Sequence, residues 1–301
     1  MNDLNDFNKE ISPRGESRVL SVARGLFYFA LYFGVQIVVS IVAEIVILVN
    51  YIADGGDLDP DVMMNALIER VNKDAMLLTI VFDLIFLGIL ALFILLTKKS
   101  PAKEENRALF TRIKPISALL ALLIGLTGNY ALNIIMAYAQ MLFPKVFEQY
   151  NSATEVYTMG GIIPYIIGGV ILAPIVEELV FRGFMQTRFS RAMPTTAAIV
   201  AVGLIFGIIH GNVVQAVYAA ALGILLGEIF AHSRSIYASI ICHFGFNLSS
   251  LPGFFASLEG STLDESTTFN AIFTVFSYIA PLLLVVFLWL FFKKDQKTAR
   301  E

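Results

Sequence analysis

Three short stretches of this chain carry ionisable and polar side chains inside long apolar runs. The first holds Glu177, Glu178 and Arg182. A charge at the centre of a bilayer costs about 2.5–3.5 kcal/mol on permissive insertion scales, so three unpaired charges in so short a segment would cost roughly 8–10 kcal/mol. Pairing, neutralisation or a water-filled cavity must remove most of that. On a helix, Glu178 and Arg182 are four residues apart and share a face, which lets them pair. Glu177 lies about 100° round the helix from Glu178 and is left available for chemistry. The second stretch holds Phe206 and His210, again four apart, so the ring can pack on the imidazole and restrict it. The third holds His243 and Asn247 on one helix face. A carboxylate withdrawn into a low-dielectric pocket is a better base, and two donors on one face suit a developing oxyanion. Glutamate and histidine within spans also serve as proton relays.

The elements that carry these residues follow from composition. Of 301 residues, 57 % are hydrophobic and 15 % charged, and mean hydropathy is +0.75. Soluble domains carry about 25 % charged residues, so a cytosolic enzyme and a disordered protein are both excluded. The expected fold class is all-α, a polytopic transmembrane helix bundle. Crossing about 30 Å of hydrocarbon takes roughly 20 apolar residues. Eight segments approach that requirement, at about 25–49, 75–97, 116–143, 162–187, 194–210, 212–231, 235–251 and 270–292. The polar first 24 residues resemble no cleaved signal, so the first apolar run is expected to be retained.

Eight spans place the termini on one side, together with most of the cationic residues. Of 21 Lys and Arg, only Arg70, Lys73 and Lys145 fall opposite, and Arg182 lies inside a span. Positive residues favour the cytoplasmic face, so both termini are expected there. The opposite loops are acidic, with Asp54, Asp57, Asp59 and Asp61 in one and Glu259, Asp264 and Glu265 in another. Residues 61–74 carry apolar side chains at Val62, Leu67, Ile68 and Val71, which would allow a short interfacial helix. Reckoned at about 1.5 Å per residue from the cytoplasmic ends, Glu177, His210, His243 and Asn247 lie roughly 12–22 Å deep, which permits one shared pocket. The single cysteine, Cys242, excludes an intrachain disulfide and reads as a small buried hydrophobe.

The ordered patterns Glu-Glu-x-x-x-Arg, Phe-x-x-x-His and His-x-x-x-Asn, each in its own apolar span, resemble those of the CPBP intramembrane proteases. That family, also called ABI, includes CAAX prenyl proteases and bacteriocin self-immunity proteins. Ala173-Pro174 before the glutamate pair and Phe181-Arg182-Gly183 after it are similar to the family's surroundings, and the resemblance covers roughly 162–251. It implies hydrolysis of a peptide bond within the membrane. Glu177 and His210 would activate a water, His243 and Asn247 would hold the oxyanion, and Glu178, Arg182 and Phe206 would support them. A zinc site of Glu177, His210 and His243 with an open water position is the metal-dependent alternative; the metal-free glutamate protease is preferred.

The domain organisation read from these features is a cytoplasmic segment 1–24, helices and loops 25–161, a catalytic core 162–251, a loop and last span 252–292, and a tail 293–301. The expected partner is a membrane-associated protein or peptide, prenylated in one branch of the family, with a prokaryotic cell membrane as the setting. No basic face suits nucleic acid. The competing functions are a proton-coupled transporter and a non-catalytic membrane partner. Glu44 and Asp83 read as interior hydrogen-bonders, Asn129 and Asn133 as interhelical contacts. Glu228 is expected to reach the cytoplasmic interface, and His232 to be a solvated loop residue. Gly203, Gly207, Gly223 and Gly227 permit close helix packing. Trp289 and Tyr278 suit the interfaces of the last span.

Overall fold

Each apolar run folds as a helix because a span in lipid must satisfy its backbone internally. The computed structural model describes residues 17–96, 109–251 and 267–298, and the regular elements among them are all helical. Helix α1 (Arg18–Ala53) starts where Ser17 Oγ accepts the Leu20 N–H. Helix α2 (Pro60–Leu96) starts at Asp59, whose Oδ1 accepts the Asp61 and Val62 N–H groups, with proline in the first turn. Next come α3 (Pro115–Leu142), α4 (Pro144–Met159), α5 (Ile162–Ala192), α6 (Thr195–Ile208) and α7 (Val213–Ser233). Helices α8 (Ile236–Leu248) and α9 (Thr267–Thr298) complete the bundle.

Six of these, α1, α2, α3, α5, α7 and α9, are long and apolar enough to cross a membrane. Helices α6 and α8 have 14 and 13 residues. At about 1.5 Å per residue each reaches only some 20 Å, so their far ends stop partway across the hydrocarbon. Two expectations change. Residues 61–74 are no separate interfacial helix: once capped at Asp59, nothing interrupts the backbone, and they form the first turns of α2. The stretch between the third and fourth apolar runs, to which the apolar pattern assigned no element, holds α4. Its mixed polar and apolar residues hide it from a hydropathy reading, although Phe147 is buried. Lys98, Lys99, Lys103, Arg107, Glu259, Asp264 and Glu265 lie outside the described residues, as do 1–16 and 299–301.

Two apolar cores hold the bundle. One gathers Tyr28, Tyr32, Phe82, Phe86, Phe181, Phe184 and Phe206 from α1, α2, α5 and α6. The other gathers Ile124, Leu226, Ile229, Cys242 and Phe291 from α3, α7, α8 and α9. Glycine sets the closest approaches. A Cβ on Gly203 or Gly207 would overlap the backbone of α7, and one on Gly125 would overlap the Cys242 carbonyl. Small residues let helices meet in this way where lipid supplies no hydrophobic drive. The outer faces of α1 and α9 expose Ile37, Val38, Ile41, Leu282 and Val285, as lipid contact requires.

Helix α5 departs from regular α geometry. Tyr165–Leu172 and Leu179–Gln186 are wound as π-helix, flanking a single α-helical stretch Ala173–Glu178. Such i→i+5 winding is rare and concentrates at functional sites. One cause is legible: Pro174 has no N–H to offer the preceding turn.

Candidate active site

The expected pairing on α5 forms. Arg182 Nη1 donates to Glu178 Oε1 at 2.8 Å, with both side chains fully buried. Its Nη2 donates to the Gly223 carbonyl at 2.9 Å, and its guanidinium carbon lies 4.8 Å from the centre of the Phe206 ring. One turn on, Gln186 Nε2 donates to the Gly227 carbonyl at 3.0 Å. The Gly-x-x-x-Gly spacing on α7 therefore does more than permit contact. It presents two backbone carbonyls, four residues apart, to two polar side chains with the same spacing on α5. Gln186 was not anticipated, because a lone glutamine near a span end carries no sequence signal.

Glu178 Oε1 also receives His243 Nδ1 at 3.0 Å. A ring nitrogen facing a carboxylate must carry the proton, which leaves His243 Nε2 as an acceptor in the neutral ring and a donor only in the imidazolium. That Nε2 stands 3.8 Å from Glu177 Oε2. The order Arg182, Glu178, His243, Glu177 thus alternates cation-capable and acidic groups, the arrangement that makes buried charge tolerable.

Glu177 points where the helical reading placed it, away from the ion pair, and its side chain keeps 18 % exposure where that of Glu178 keeps none. It faces a cavity of about 810 Å³ that is also lined by His210, His243, Asn247, Phe206, Asp83 and Tyr32. His210 is not inside a span as expected: α6 ends at Ile208, and His210 occupies the following turn at the cavity wall. Its Nδ1 lies 2.7 Å from the Phe206 carbonyl and must donate, so Nε2 presents a lone pair. Phe206 packs edge-on against both imidazoles, with centroids 4.9 Å from His210 and 5.9 Å from His243.

Asn247 lines the cavity but is partly committed. Its Nδ2 donates to the Gly169 carbonyl at 2.8 Å. In the π-helical register Ala173 N–H bonds Gly168, and the next residue is Pro174. Gly169 therefore has no backbone donor, and Asn247 supplies one, leaving one Nδ2 hydrogen for any other acceptor.

Among the described residues no group of three His, Cys, Asp or Glu side chains is arranged to hold a metal ion. Glu177, His210 and His243 line one cavity but do not form a ligand cluster as placed, and one nitrogen of each imidazole is engaged by another acceptor.

Other residues move from their expected places. Asp83 is no satisfied interior hydrogen-bonder: it is 1 % exposed, its Oδ2 lacks a partner, and it lines the cavity. Only the packing of α2 on α5 brings it there, so its position was invisible in the pattern. Glu44 is exposed on α1 rather than interior. His232 is not in a loop. It ends α7 half-buried, 3.5 Å from Glu228 Oε2 and edge-on to Phe292. Asn129 makes the expected interhelical contact, donating to the Phe246 carbonyl at 3.0 Å, whereas Asn133 is exposed at the cavity rim.

Residues 159–249 match the family model described as Type II CAAX prenyl endopeptidase Rce1-like. No curated protein and no solved structure matches the chain significantly. The matched segment runs from the end of α4 to the end of α8 and includes Glu177, Glu178, Arg182, Phe206, His210, His243 and Asn247. It leaves out α1, α2, α3 and α9, and with them Asp83 and Tyr32. The three motifs all fall inside the matched segment, and this match over 159–249 supports a CPBP/CAAX protease family assignment.

Proposed function

We propose that this protein is an intramembrane endopeptidase that hydrolyses a peptide bond in a membrane-associated protein or peptide, with Glu177 as the general base. The observation that carries the reading is the split between two adjacent glutamates: Glu178 is sealed against Arg182, while Glu177 faces the cavity beside two histidines. A water held between the Glu177 carboxylate and His210 Nε2 loses a proton to Glu177, and its oxygen adds to the scissile carbonyl carbon. The remaining Asn247 N–H, with His243 Nε2 in the imidazolium form, donates to the oxyanion. Collapse breaks the C–N bond, and the proton taken by Glu177 passes to the leaving amine, giving a carboxyl and an amino terminus. Glu178 and Arg182 act through His243 by holding its ring, and Phe206 holds both imidazoles in place.

Substrates of the CAAX prenyl type and peptide precursors, including those of bacteriocin self-immunity, belong to this reading. The test is comparative proteomics of membrane fractions from cells carrying the native protein or Glu177→Gln. The expected result is a precursor that accumulates uncut in the variant and is cut when the native protein is reconstituted with it. Equal processing by a normally folded Glu177→Gln would remove the reading. A proton-coupled carrier would instead show gradient-driven uptake lost in the same variant.

A further inference from the structure

The cavity has a closed end and an open end, and the two ends differ in charge. Glu177, Phe206 and His243 line it. Counted from the chain ends at Ala192, Thr195 and Ile236, these lie about 10–23 Å into the bundle. Toward those chain ends the described residues are packed: Tyr28 stacks on Phe184 with centroids 4.4 Å apart, Phe181 packs on Phe206, and these rings and Arg182 are all buried. The exposed lining residues include Asn133, Ala137 and Gln140 on α3 and Glu155 on α4. Counted from Pro115 on the same end, Asn133 and Gln140 lie about 27–38 Å away. The cavity therefore opens toward the end of the bundle that carries α4 and the α1–α2 turn.

Cationic residues crowd the other end. Arg18, Arg24, Arg112, Lys114, Arg188, Arg191, Arg234 and Lys293 all sit at the sealed end, in helix ends or the turns between them. The open end has Arg70, Lys73 and Lys145, set among Asp54, Asp57, Asp59, Asp61 and Asp74. Lysine and arginine within about 15–20 residues of span ends mark the cytoplasmic side.

We infer that the active site opens on the extracytoplasmic side of the membrane, so that its substrate class is an exported or outer-leaflet-anchored polypeptide rather than a lipidated carboxyl terminus displayed in the cytoplasm. The substrate half of this inference rests on the endopeptidase reading; the orientation does not. The rim suits such a ligand. Asn133 and Gln140 offer amides that both donate to and accept from an extended peptide backbone, and among the described residues no lysine or arginine lines the cavity to select a phosphate or carboxylate.

The test labels the full-length protein in cells with a membrane-impermeant maleimide. Native Cys242 is fully buried and gives no background. Gln140→Cys reports the cavity mouth, Leu58→Cys, 66 % exposed, reports the same end away from the cavity, and Arg112→Cys reports the sealed end. The expected result is labelling of Gln140→Cys and Leu58→Cys in intact cells, with Arg112→Cys labelled only after permeabilisation. Labelling of Arg112→Cys alone in intact cells would overturn the orientation, and equal labelling of all three would do the same. If Leu58→Cys labels and Gln140→Cys does not even after permeabilisation, the mouth is not where we place it. Repeating the labelling in Glu177→Gln separates the two claims, because orientation survives whether or not proteolysis is lost. Accumulation in that variant of precursors whose uncut bond lies in the cytoplasm would overturn the substrate class while leaving the protease standing.

Discussion

Glu177 and Glu178 are neighbours in sequence with opposite surroundings. On one side of α5, Glu178, Arg182 and Gln186 are buried and tied to His243 and to the carbonyls of Gly223 and Gly227. On the other, Glu177 shares an open cavity with His210, Asn247 and Asp83. The difference teaches which acid can react. A carboxylate buried against both an arginine and a histidine is shut away from substrate, whereas one at a cavity wall can meet it.

Four experiments would break or sharpen that contrast. Glu177→Gln keeps the shape and removes the base, so turnover by the reconstituted protein is expected to fall by about 10²–10⁴ with the unfolding midpoint unchanged. Arg182→Met acts on the opposite side: it strands the Glu178 charge and is expected to cost about 3–5 kcal/mol, read by denaturant unfolding in detergent, with Glu178→Gln added to the same chain recovering most of it. Asn247→Ala is expected to lower turnover by about 10²–10³, the value of one oxyanion donor, and to loosen α8 from the Gly169 carbonyl. Gln186→Leu removes a second bond to the Gly227 carbonyl, which keeps its donor within α7, and is expected to cost about 0.5–1.5 kcal/mol by the same unfolding measurement, without loss of turnover per folded molecule. If Gln186→Leu lost activity in folded protein, the two sides of α5 would not be separable.

A fifth measurement has the smallest expected effect. Incubation with a metal chelator is expected to leave turnover unchanged, since the proposed steps need only Glu177, His210, His243 and Asn247. Loss on chelation, restored by zinc, would instead require these side chains to rearrange into a ligand set.

The legible part of the site was the part written as helix periodicity. Glu178 and Arg182 pair because four residues is nearly one turn, and Phe206 meets His210 for the same reason. That logic fails where the backbone leaves regular α geometry or where the partner is remote. His210 lies past the end of α6, so the apparent span boundary was wrong by a few residues. Asn247 is drawn to Gly169 by a proline on another helix. Helix α4 escaped notice because its apolar residues are too few for a span, yet Phe147 and Tyr150 wall the cavity.

By itself the sequence determined the class of solvent this protein occupies, the apolar runs that become its helices, and which residues share a helix face. These follow from local composition and from the 3.6-residue repeat, which need no knowledge of neighbours. Only the tertiary structure decided that Asp83 and Tyr32 meet Glu177 and that Glu178 is sealed while Glu177 is not. It also decided at which end of the bundle the cavity opens. Those outcomes depend on how separate helices rotate and cross, and that is fixed by contacts between residues remote in sequence, such as Asn129 with Phe246, 117 positions apart.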